Sequence, residues 1–178
     1  MSNATPGPVL TTDRLILKPV ALSDFEDLKI LWRDEAFTRA ITGRALSSEE
    51  VWFRVLRDIG HWSALNHGNW SMRLKTDGAY VGSVGVLNYL RDLSPPFDAP
   101  ELGWGVGGDY QGQGFAREGL DAALDWADHA LKAPRTLCMI SPENAPSLTL
   151  AGRVGYQVYC DGTYKDAPVR LLERLAHG

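Results

Sequence analysis

The sequence has 178 residues, of which 44% are apolar and 22% are charged, and its formal net charge is -4. This length and composition predict one folded domain and exclude a disordered, collagen-like or disulfide-stabilised chain. The negative charge argues against binding to nucleic acid or to an anionic membrane through a general positive field. Two cysteines are too few to staple such a domain, and no apolar run reaches the roughly 18 residues of a membrane helix, so a soluble cytoplasmic protein is expected.

The first elements follow a short polar segment. Residues 1–11 are expected to be a flexible leader, and residues 12–178 are expected to form the single domain. An apolar run that ends at Pro19 predicts the first strand. A helix is predicted to begin at Ser23, with Ser23 as its N-cap and Glu26 completing a capping box.

The next segments predict a helix and a hairpin. Ser47 or Ser48 is expected to begin the second helix, which is followed by a turn and then by an apolar–polar alternation over residues 70–74. This alternation predicts a half-buried strand. Asp77-Gly78 is a strong hairpin signal, and it joins that strand to a second one over residues 81–87.

The second half of the chain alternates between strands and helices. The predicted elements are a proline-rich loop (92–100), a strand (101–106), a long helix from Ala116 to Leu131, a strand (137–140), a short helix (148–154), and two extended segments (157–160 and 169–175) separated by a loop. This order predicts an α/β (α+β) chain with a mixed sheet.

The stretch from Gln111 to Arg117 carries the clearest chemical signal. Gly112 and Gly114 lie between a predicted strand and the predicted long helix. A glycine-containing loop that leads into a helix directs several unpaired backbone N–H groups at one point, where the helix dipole adds positive potential. Arg117 adds a cation nearby, so an acidic protein could still bind a pyrophosphate there. A plain glycine-rich turn is the alternative.

A second segment, NAPSLTLAGRVGY at residues 144–156, follows one helix and one strand later. Together the segments resemble the GNAT superfamily of acyl-CoA-dependent N-acetyltransferases, through Gln111-x-x-Gly114-x-Ala116, Asn144-x-x-Ser147 and Ala151-x-Arg153-x-Gly155-Tyr156. The opening Thr12-x-Arg14-Leu15-x-Leu17-x-Pro19 is typical of the branch that acetylates N-terminal amines of ribosomal proteins and of its small-molecule relatives. The resemblance extends from Thr11 to Arg174. It implies a mixed, mostly antiparallel twisted sheet of about seven strands flanked by about four helices.

The resemblance implies acetyl-CoA as the acyl donor. The pyrophosphate is expected to rest on the amides of residues 111–116, and the pantetheine arm to lie along residues 104–106 like an extra strand. The predicted cofactor-binding residues are Trp104, Gly105, Val106, Gln111, Gly112, Gln113, Gly114, Phe115, Ala116, Arg117, Asn144 and Ser147. Asn144 is also a good N-cap for a helix that begins at Ala145, and both roles can hold together.

The chemistry of amide formation suggests a base and an oxyanion donor. Attack on a thioester requires a neutral amine and produces an oxyanion, which a strand amide near Gly105 or Val106 would stabilise. Glu101 begins that strand and is the predicted general base, acting directly or through water. A salt-bridging or acceptor-binding carboxylate is the alternative interpretation of Glu101.

The departing thiolate requires a proton donor. By analogy with the family's hydroxyl at this position, Ser147 is the predicted acid. Tyr156 and Tyr159 are weaker candidates, and Tyr156 is expected to pack in the core instead.

The acceptor is expected to be a small-molecule amine or a peptide N-terminus. Its pocket is predicted between the first two helices and the last hairpin, at Trp32, Arg33, Phe37 and the loop around 161–165. An exposed strand edge could support a homodimer.

Metal binding, dinucleotide binding and a non-catalytic role are the other functional classes. The histidines have no metal-ligand spacing, so no metal site is expected. Gly103, Gly105 and Gly108 satisfy a dinucleotide-binding pattern, but no buried strand precedes them and no helix begins until after Gly114. A catalytically silent module that binds acyl-CoA stays open as the alternative to an enzyme.

Overall fold

A computed structural model describes residues 7–39 and 41–177. The strands are β1 (Leu10–Thr11), β2 (Leu15–Pro19), β3 (Asn69–Leu74), β4 (Tyr80–Leu87), β5 (Leu93–Ser94), β6 (Glu101–Val106), β7 (Arg135–Ile140), β8 (Gln157–Tyr164) and β9 (Ala167–Leu175). The helices are α1 (Phe25–Arg33), α2 (Glu35–Thr38), α3 (Ser48–Leu65), α4 (Phe115–His129) and α5 (Ala145–Arg153). Short 3₁₀ turns at Leu22–Asp24 and Gly108–Tyr110 precede α1 and α4.

The strands form one sheet in the order β1-β2-β3-β4-β6-β7-β9-β8-β5. Only β6 and β7 run parallel in the described part of the sheet, and the other neighbours are antiparallel. The predicted mixed, mostly antiparallel sheet is therefore confirmed. The structure has two more strands and one more helix than expected. The two-residue strands β1 and β5 and the four-residue helix α2 are too short to show a periodicity in the sequence.

Two of the extra elements fall in segments predicted to be irregular. Leu10 lies opposite Leu17 in the β1–β2 pair, so the last two residues of the predicted leader belong to the sheet. Residues 1–6 of that leader lie outside the described residues. Leu93 in the predicted proline-rich loop is buried and lies opposite Tyr164, where β5 pairs with β8.

The predicted cap of the first helix is wrong. A 3₁₀ turn at Leu22–Asp24 comes first, and α1 begins after it, so Ser23 is not the N-cap. The backbone N–H of Ala21 donates to Asp24 Oδ2 at 3.0 Å, which is the kind of bond that Glu26 was predicted to accept. Asp24 takes this role because its carboxylate is also held by the sheet.

Strand β3 is buried on both faces, whereas the sequence predicted a half-buried strand. Trp70 and Met72 face the main core, as their alternation predicted. Ser71 is also fully buried, because its hydroxyl donates to Asp24 Oδ2 at 2.8 Å. Arg73 Nη2 donates to Asp24 Oδ1 at 2.7 Å, so the polar face of the strand is covered by the start of α1.

Helix α3 begins as predicted. Ser47 Oγ accepts from the Glu50 N–H, and Glu50 Oε2 accepts from the Ser47 N–H, which together make a capping box. The helix ends at Leu65, and Asn66 caps it with a left-handed backbone conformation. Although α3 has 18 residues, neither it nor any other helix within residues 7–39 and 41–177 has the length and apolarity to cross a bilayer.

Helix α4 packs against the sheet through the predicted apolar stripe. Its buried residues include Leu120, Ala123, Leu124 and Ala127. At Gly119 the helix approaches β3 so closely that a Cβ would overlap the sulfur of Met72. This packing fixes the beginning of α4 relative to the sheet.

The loop of the last hairpin, predicted around residues 161–165, is shorter in the structure. Strand β8 continues to Tyr164, and Lys165 and Asp166 form a two-residue turn with φ values of 50° and 62°. Such a turn joins antiparallel strands well, but it usually carries Asn or Gly. The sequence Lys-Asp therefore gave no signal for a two-residue turn at this position.

Candidate active site

Strands β6 and β7 pair at a single position, Glu101 opposite Leu137. Near this pair the Leu137 N–H donates to the carbonyl oxygen of Pro100 at 2.9 Å. On its other side, β6 pairs with β4 along its whole length, from Glu101 to Val106. The sheet therefore contains a split between β6 and β7 that is closed at Glu101 and opens toward Val106.

The direction of the β6 backbone groups determines which of them face the split. The Gly107 N–H donates to β4, whereas the Pro100 carbonyl faces β7. Because this direction alternates along a strand, the backbone groups of Trp104 and Val106 face the split. The Gly105 N–H faces β4 instead. Of the two predicted oxyanion donors, Val106 is therefore the one whose N–H is directed into the split.

Two helices begin at the open end of the split. Parallel neighbouring strands end at the same edge of a sheet, so the segments that follow β6 and β7 lie at one edge. The first segment leads to α4 at Phe115, and the second leads to α5 at Ala145. The two sequence motifs, which are separated by one helix and one strand, therefore flank the same opening.

The segment before α4 has the backbone of an anion cradle. Gly112 and Gly114 have φ values of 72° and 83°, a left-handed conformation that favours glycine. Gly114 is the N-cap of α4, and no side chain from the described residues caps the helix there. Residues 111–114 are exposed. The first N–H groups of α4 are thus directed at solvent beside the split.

Arg14 joins the first strand region to this cradle. Its Nη1 donates to the Gln113 carbonyl at 3.0 Å, and its guanidinium lies 4.2 Å from the Phe115 ring centre. Its Nε donates to Glu118 Oε2 at 2.7 Å, and its backbone N–H donates to Glu118 Oε1 at 2.8 Å. Thr12 Oγ1 donates to the same carboxylate at 2.5 Å. The Thr-x-Arg motif therefore fixes both the cradle and the first turn of α4.

The other polar side chains of the cradle also have local partners. Gln111 Nε2 donates to the Val106 carbonyl at 3.2 Å, and Gln113 Nε2 donates to the Asp109 carbonyl at 2.8 Å. Arg117 Nε donates to Asp121 at 2.8 Å, one helical turn away. The glutamines thus support the loop, and the predicted cation is exposed and paired with Asp121.

Asn144 caps α5, as the sequence allowed. Its Oδ1 accepts from the Ser147 N–H at 3.2 Å. Both side chains are partly exposed at the edge where the split opens. The Nδ2 of Asn144 and the hydroxyl of Ser147 are not needed for this cap, so they could still bind a ligand.

The two tyrosine alternatives occupy different surroundings. Tyr156 is 3% exposed, and its Oη lies 2.7 Å from the Thr136 hydroxyl. Burial raises the pKa of Tyr156 far above its usual range, and its expected core packing is confirmed. Tyr159 lies half-exposed on the outer strand β8.

Glu101 lies at the closed end of the split and is almost fully buried. Its Oε2 accepts a hydrogen bond from Arg91 Nε at 2.7 Å. Arg91 in turn donates through Nη1 to the Tyr164 hydroxyl at 3.1 Å. The salt-bridging alternative for Glu101 is thus present in the structure, although it does not exclude proton transfer by the carboxylate.

Comparison with known proteins now decides the family. The profile of the acetyltransferase (GNAT) domain matches residues 14–157, which is most of the chain. The protein is a GNAT N-acetyltransferase.

Three relatives illustrate the range of this family. A GnaT-family acetyltransferase from Bordetella pertussis is 33% identical, with a TM-score of 0.84 over 94% of this chain and 99% of the other. The [ribosomal protein uS5]-alanine N-acetyltransferase of Escherichia coli is 27% identical over 50% of each chain. A spermidine N-acetyltransferase from Vibrio cholerae, solved with CoA and spermine, is 16% identical, with a TM-score of 0.72 over 91% of this chain and 95% of the other.

Two cavities of this GNAT acetyltransferase lie near the closed end of the split. One, of about 160 Å³, is bordered by Glu101, Arg91 and Leu87. The other, of about 520 Å³, is bordered by Arg57, Arg91 and Lys165. Tyr89 lines both. Space for an acceptor therefore exists beside Glu101, between the end of β4 and the tip of the β8–β9 hairpin.

The three residues predicted for the acceptor pocket separate into two groups. Phe37 is buried, and its ring would lie 2.8 Å from a Cβ placed on Gly105, so it covers the middle of β6. Trp32 packs edge-on against Phe37 at 5.1 Å. Arg33 instead donates to Ser48 Oγ at 2.8 Å, at the start of α3. None of the three lines either cavity described above.

Sequence reasoning missed Arg91, Tyr89 and Arg57 altogether. Arg91 and Tyr89 lie in the irregular segment after β4, where no periodicity or motif assigns a position. Arg57 is one of several charged residues on α3, and nothing in its spacing separates it from a solvated helix face. The stronger signal available was Arg14, which was identified as part of a family motif but not as a site residue.

Proposed function

We propose that this GNAT N-acetyltransferase transfers the acetyl group of acetyl-CoA to a primary amine, by direct attack within a ternary complex. The single observation that carries the proposal is the split between β6 and β7. It has two helix N-termini at its open end and the buried carboxylate of Glu101 at its closed end. The distance along β6 from Glu101 to Val106 is roughly 17 Å, which suits an extended donor.

The described residues fit coenzyme A. The exposed cradle at 111–114 and the uncapped start of α4 supply backbone donors for a pyrophosphate. The backbone groups of Trp104 and Val106 can bond an extended arm in the split. Asn144 Nδ2 and Ser147 Oγ border the same opening. When bound, acetyl-CoA supplies an activated thioester.

The roles of the chain's own groups follow from their positions. Glu101 accepts the proton of the attacking amine, directly or through water, while the new C–N bond forms. Val106 lies roughly 17 Å along β6 from Glu101, which is too far for both to act on one carbonyl. The N–H of Trp104, which also faces the split, therefore donates to the oxyanion that develops on the thioester carbonyl. The Ser147 hydroxyl gives its proton to the departing thiolate as the C–S bond breaks. Protons and charge balance once Glu101 releases its proton to solvent and Ser147 recovers one from solvent.

The acceptor can be a small-molecule amine or a peptide N-terminus. An α-amine, with an ordinary pKa near ~8, needs less help from a base than a lysine-type amine near ~10. The relatives named above include a [ribosomal protein uS5]-alanine N-acetyltransferase and a spermidine N-acetyltransferase.

A catalytically silent acyl-CoA-binding protein is the second candidate. The observation that favours it is the bond from Arg91 Nε to Glu101, which occupies the carboxylate that the proposed mechanism uses.

Two measurements on the full chain separate these candidates. Calorimetry with CoA and with acetyl-CoA tests the cradle, and thiol release from acetyl-CoA against a panel of primary amines tests the transfer. We expect binding of both ligands and amine-dependent thiol release. Binding without release would favour the silent module, and the absence of any heat with either ligand would contradict both.

A further inference from the structure

We propose that the cavity bordered by Arg57, Arg91 and Lys165 binds an anionic group, a carboxylate or a phosphate, that the amine acceptor carries. This proposal rests on the proposed function, because it names the class of amine that the site accepts. The cavity of about 520 Å³ shares Tyr89 and Arg91 with the smaller cavity that borders Glu101. One short acceptor molecule could therefore extend through both cavities.

The first step of the argument is that the cations of this region face the cavity while their carboxylate partners lie beneath them. The Arg57 side chain is 39% exposed, whereas that of its partner Asp58 is 9% exposed. The Arg91 side chain is 22% exposed, whereas that of its partner Glu101 is 8% exposed. A solute in the larger cavity therefore meets guanidinium groups first.

The second step is the fixed geometry of these two arginines. The guanidinium of Arg57 lies 4.1 Å and that of Arg91 lies 5.0 Å from the centre of the same ring, Tyr89. The ring is itself anchored, because its hydroxyl donates to Asp58 Oδ1 at 2.9 Å. Each guanidinium is paired with a carboxylate, so an anion between them would bind the N–H groups that Asp58 and Glu101 do not use. Guanidinium groups also match the fork shape of carboxylate and phosphate oxygens.

The third step is the charge of the remaining lining. Lys165, at the tip of the β8–β9 hairpin, adds a third cation, and Asp92 is the one acidic residue that borders the larger cavity in the described structure. The positive charge is therefore local, on a protein whose net charge is negative. A polycation such as spermidine would be repelled at this cavity.

The protein would then bind the amine at one end of the acceptor and the anionic group at the other. The amine lies toward Glu101, which accepts its proton, and the anionic group lies toward Arg57 and Lys165. Arg91 lies between the two ends, since it contacts Glu101 and borders both cavities.

The test compares amines that differ only in this anionic group. The pairs are 4-aminobutyrate with 4-aminobutanamide, O-phosphoethanolamine with ethanolamine, and amidated Ala-Asp-Ala with amidated Ala-Asn-Ala, and spermidine is the cationic reference. We expect the anionic member of at least one pair to have a kcat/KM about tenfold or more higher, as for a hydrogen bond between charged groups. The pairs distinguish a small carboxylate, a phosphate and a peptide side chain.

Three variants test whether the preference comes from this cavity. Lys165→Gln, an exposed change, should reduce the preference, and Arg57→Gln should abolish it, while Arg57→Lys should keep part of it. Arg44→Gln removes an exposed arginine that pairs with Glu50 of α3 and borders neither cavity, so it should leave the preference unchanged. If Arg57→Gln unfolds the protein, two other measurements test the proposal. Lys165→Gln should reduce the preference for anionic amines, and high salt should remove that preference in the wild type.

The outcomes separate this inference from the proposed function. Acetylation of neutral and anionic amines at equal rates, or a preference for spermidine, would overturn the inference and leave the acetyltransferase intact. If no amine is acetylated, the proposed function fails. Calorimetric binding of 4-aminobutyrate against 4-aminobutanamide then still shows whether the cavity selects an anion, and equal affinities would overturn it.

Discussion

Glu101 Oε2 and Arg91 Nε form a hydrogen-bonded ion pair of 2.7 Å at the closed end of the β6–β7 split. The pair holds the carboxylate in one orientation, with its second oxygen available to an amine or a water molecule. Removing the charge of Glu101 should therefore affect proton transfer without changing the cradle at the other end of β6.

Our first prediction is that Glu101→Gln lowers kcat by about 10²- to 10⁴-fold, the usual range for the loss of a general base. The dissociation constant of acetyl-CoA should change little, because its predicted contacts lie at residues 104–117 and 144–147. Steady-state kinetics over a range of pH and calorimetry with acetyl-CoA measure the two effects. An unaltered pH–rate profile would remove the general-base role and leave Glu101 as the structural partner of Arg91.

The second prediction concerns Arg14, which we treat as a positioning residue for the cofactor cradle. Arg14→Ala removes the bond to the Gln113 carbonyl and the stacking on Phe115. We expect the KM for acetyl-CoA to rise about three- to tenfold, the equivalent of one modest hydrogen bond, while the KM for the amine stays constant.

A matched control is Arg44→Ala, which removes another exposed arginine–glutamate pair, at the start of α3. It should leave the KM for acetyl-CoA unchanged. Arg14→Lys keeps the charge but loses the planar fork, so it should resemble Arg14→Ala if geometry matters more than charge. An equal rise in both KM values after Arg14→Ala would indicate general destabilisation instead.

The sequence predicted the elements that bury a periodic apolar face and missed those that do not. The stripe of α4 and the start of α3 after Ser47 were both predictable, because each places its signal within a few neighbouring residues. Strand β3 was assigned one solvent-facing side, since the sequence does not show that Asp24 folds over Ser71. The Lys165-Asp166 turn was not predicted for a different reason. Both residues adopt positive φ, but the pair lacks the Asn or Gly that usually indicates such a turn.

The candidate site divides in the same way. The cradle could be predicted because a strand, a glycine loop and a helix follow one another along the chain. The surroundings of Glu101 could not, because Arg91 and Tyr164 come from the irregular segment after β4 and from the last hairpin, and they meet only in the folded sheet. The spacing of residues along the sequence does not predict such contacts.

The third prediction separates two roles of Asn144. Asn144→Asp keeps an oxygen that can cap the Ser147 N–H, but it replaces the Nδ2 donor with negative charge. If Asn144 contacts the cofactor, the KM for acetyl-CoA should rise while the free energy of unfolding stays close to that of the wild type. Asn144→Ala, which loses the cap, should cost about 1 kcal/mol of stability. Unchanged kinetics in Asn144→Asp would leave the cap as the sole role.

The fourth prediction tests Ser147 as the acid. Ser147→Ala removes the hydroxyl and keeps the backbone N–H that Asn144 caps, so α5 should remain folded. We expect kcat to fall by about 10²-fold or more, with little change in the KM for the amine. Tyr156→Phe and Tyr159→Phe are the comparisons. A loss of kcat in Tyr159→Phe with none in Ser147→Ala would transfer the role to the tyrosine.

The last prediction concerns His67, which is buried between α3 and β4. Its Nδ1 lies 2.7 Å from the Val86 carbonyl and can donate to it as a neutral ring. Burial lowers the pKa of His67, and although the bond to Val86 opposes this, the folded protein holds the proton less tightly than the unfolded chain. The stabilisation is therefore complete above about pH 6.5, the unfolded value, and is lost as the pH falls toward the folded pKa.

His67→Gln keeps a donor for Val86 and does not titrate. The free energy of unfolding, measured with urea at about pH 7.5, 6.5 and 5.5, should fall more steeply for the wild type than for His67→Gln below about pH 6.5. Parallel curves for the wild type and His67→Gln would show that another group causes the acid sensitivity.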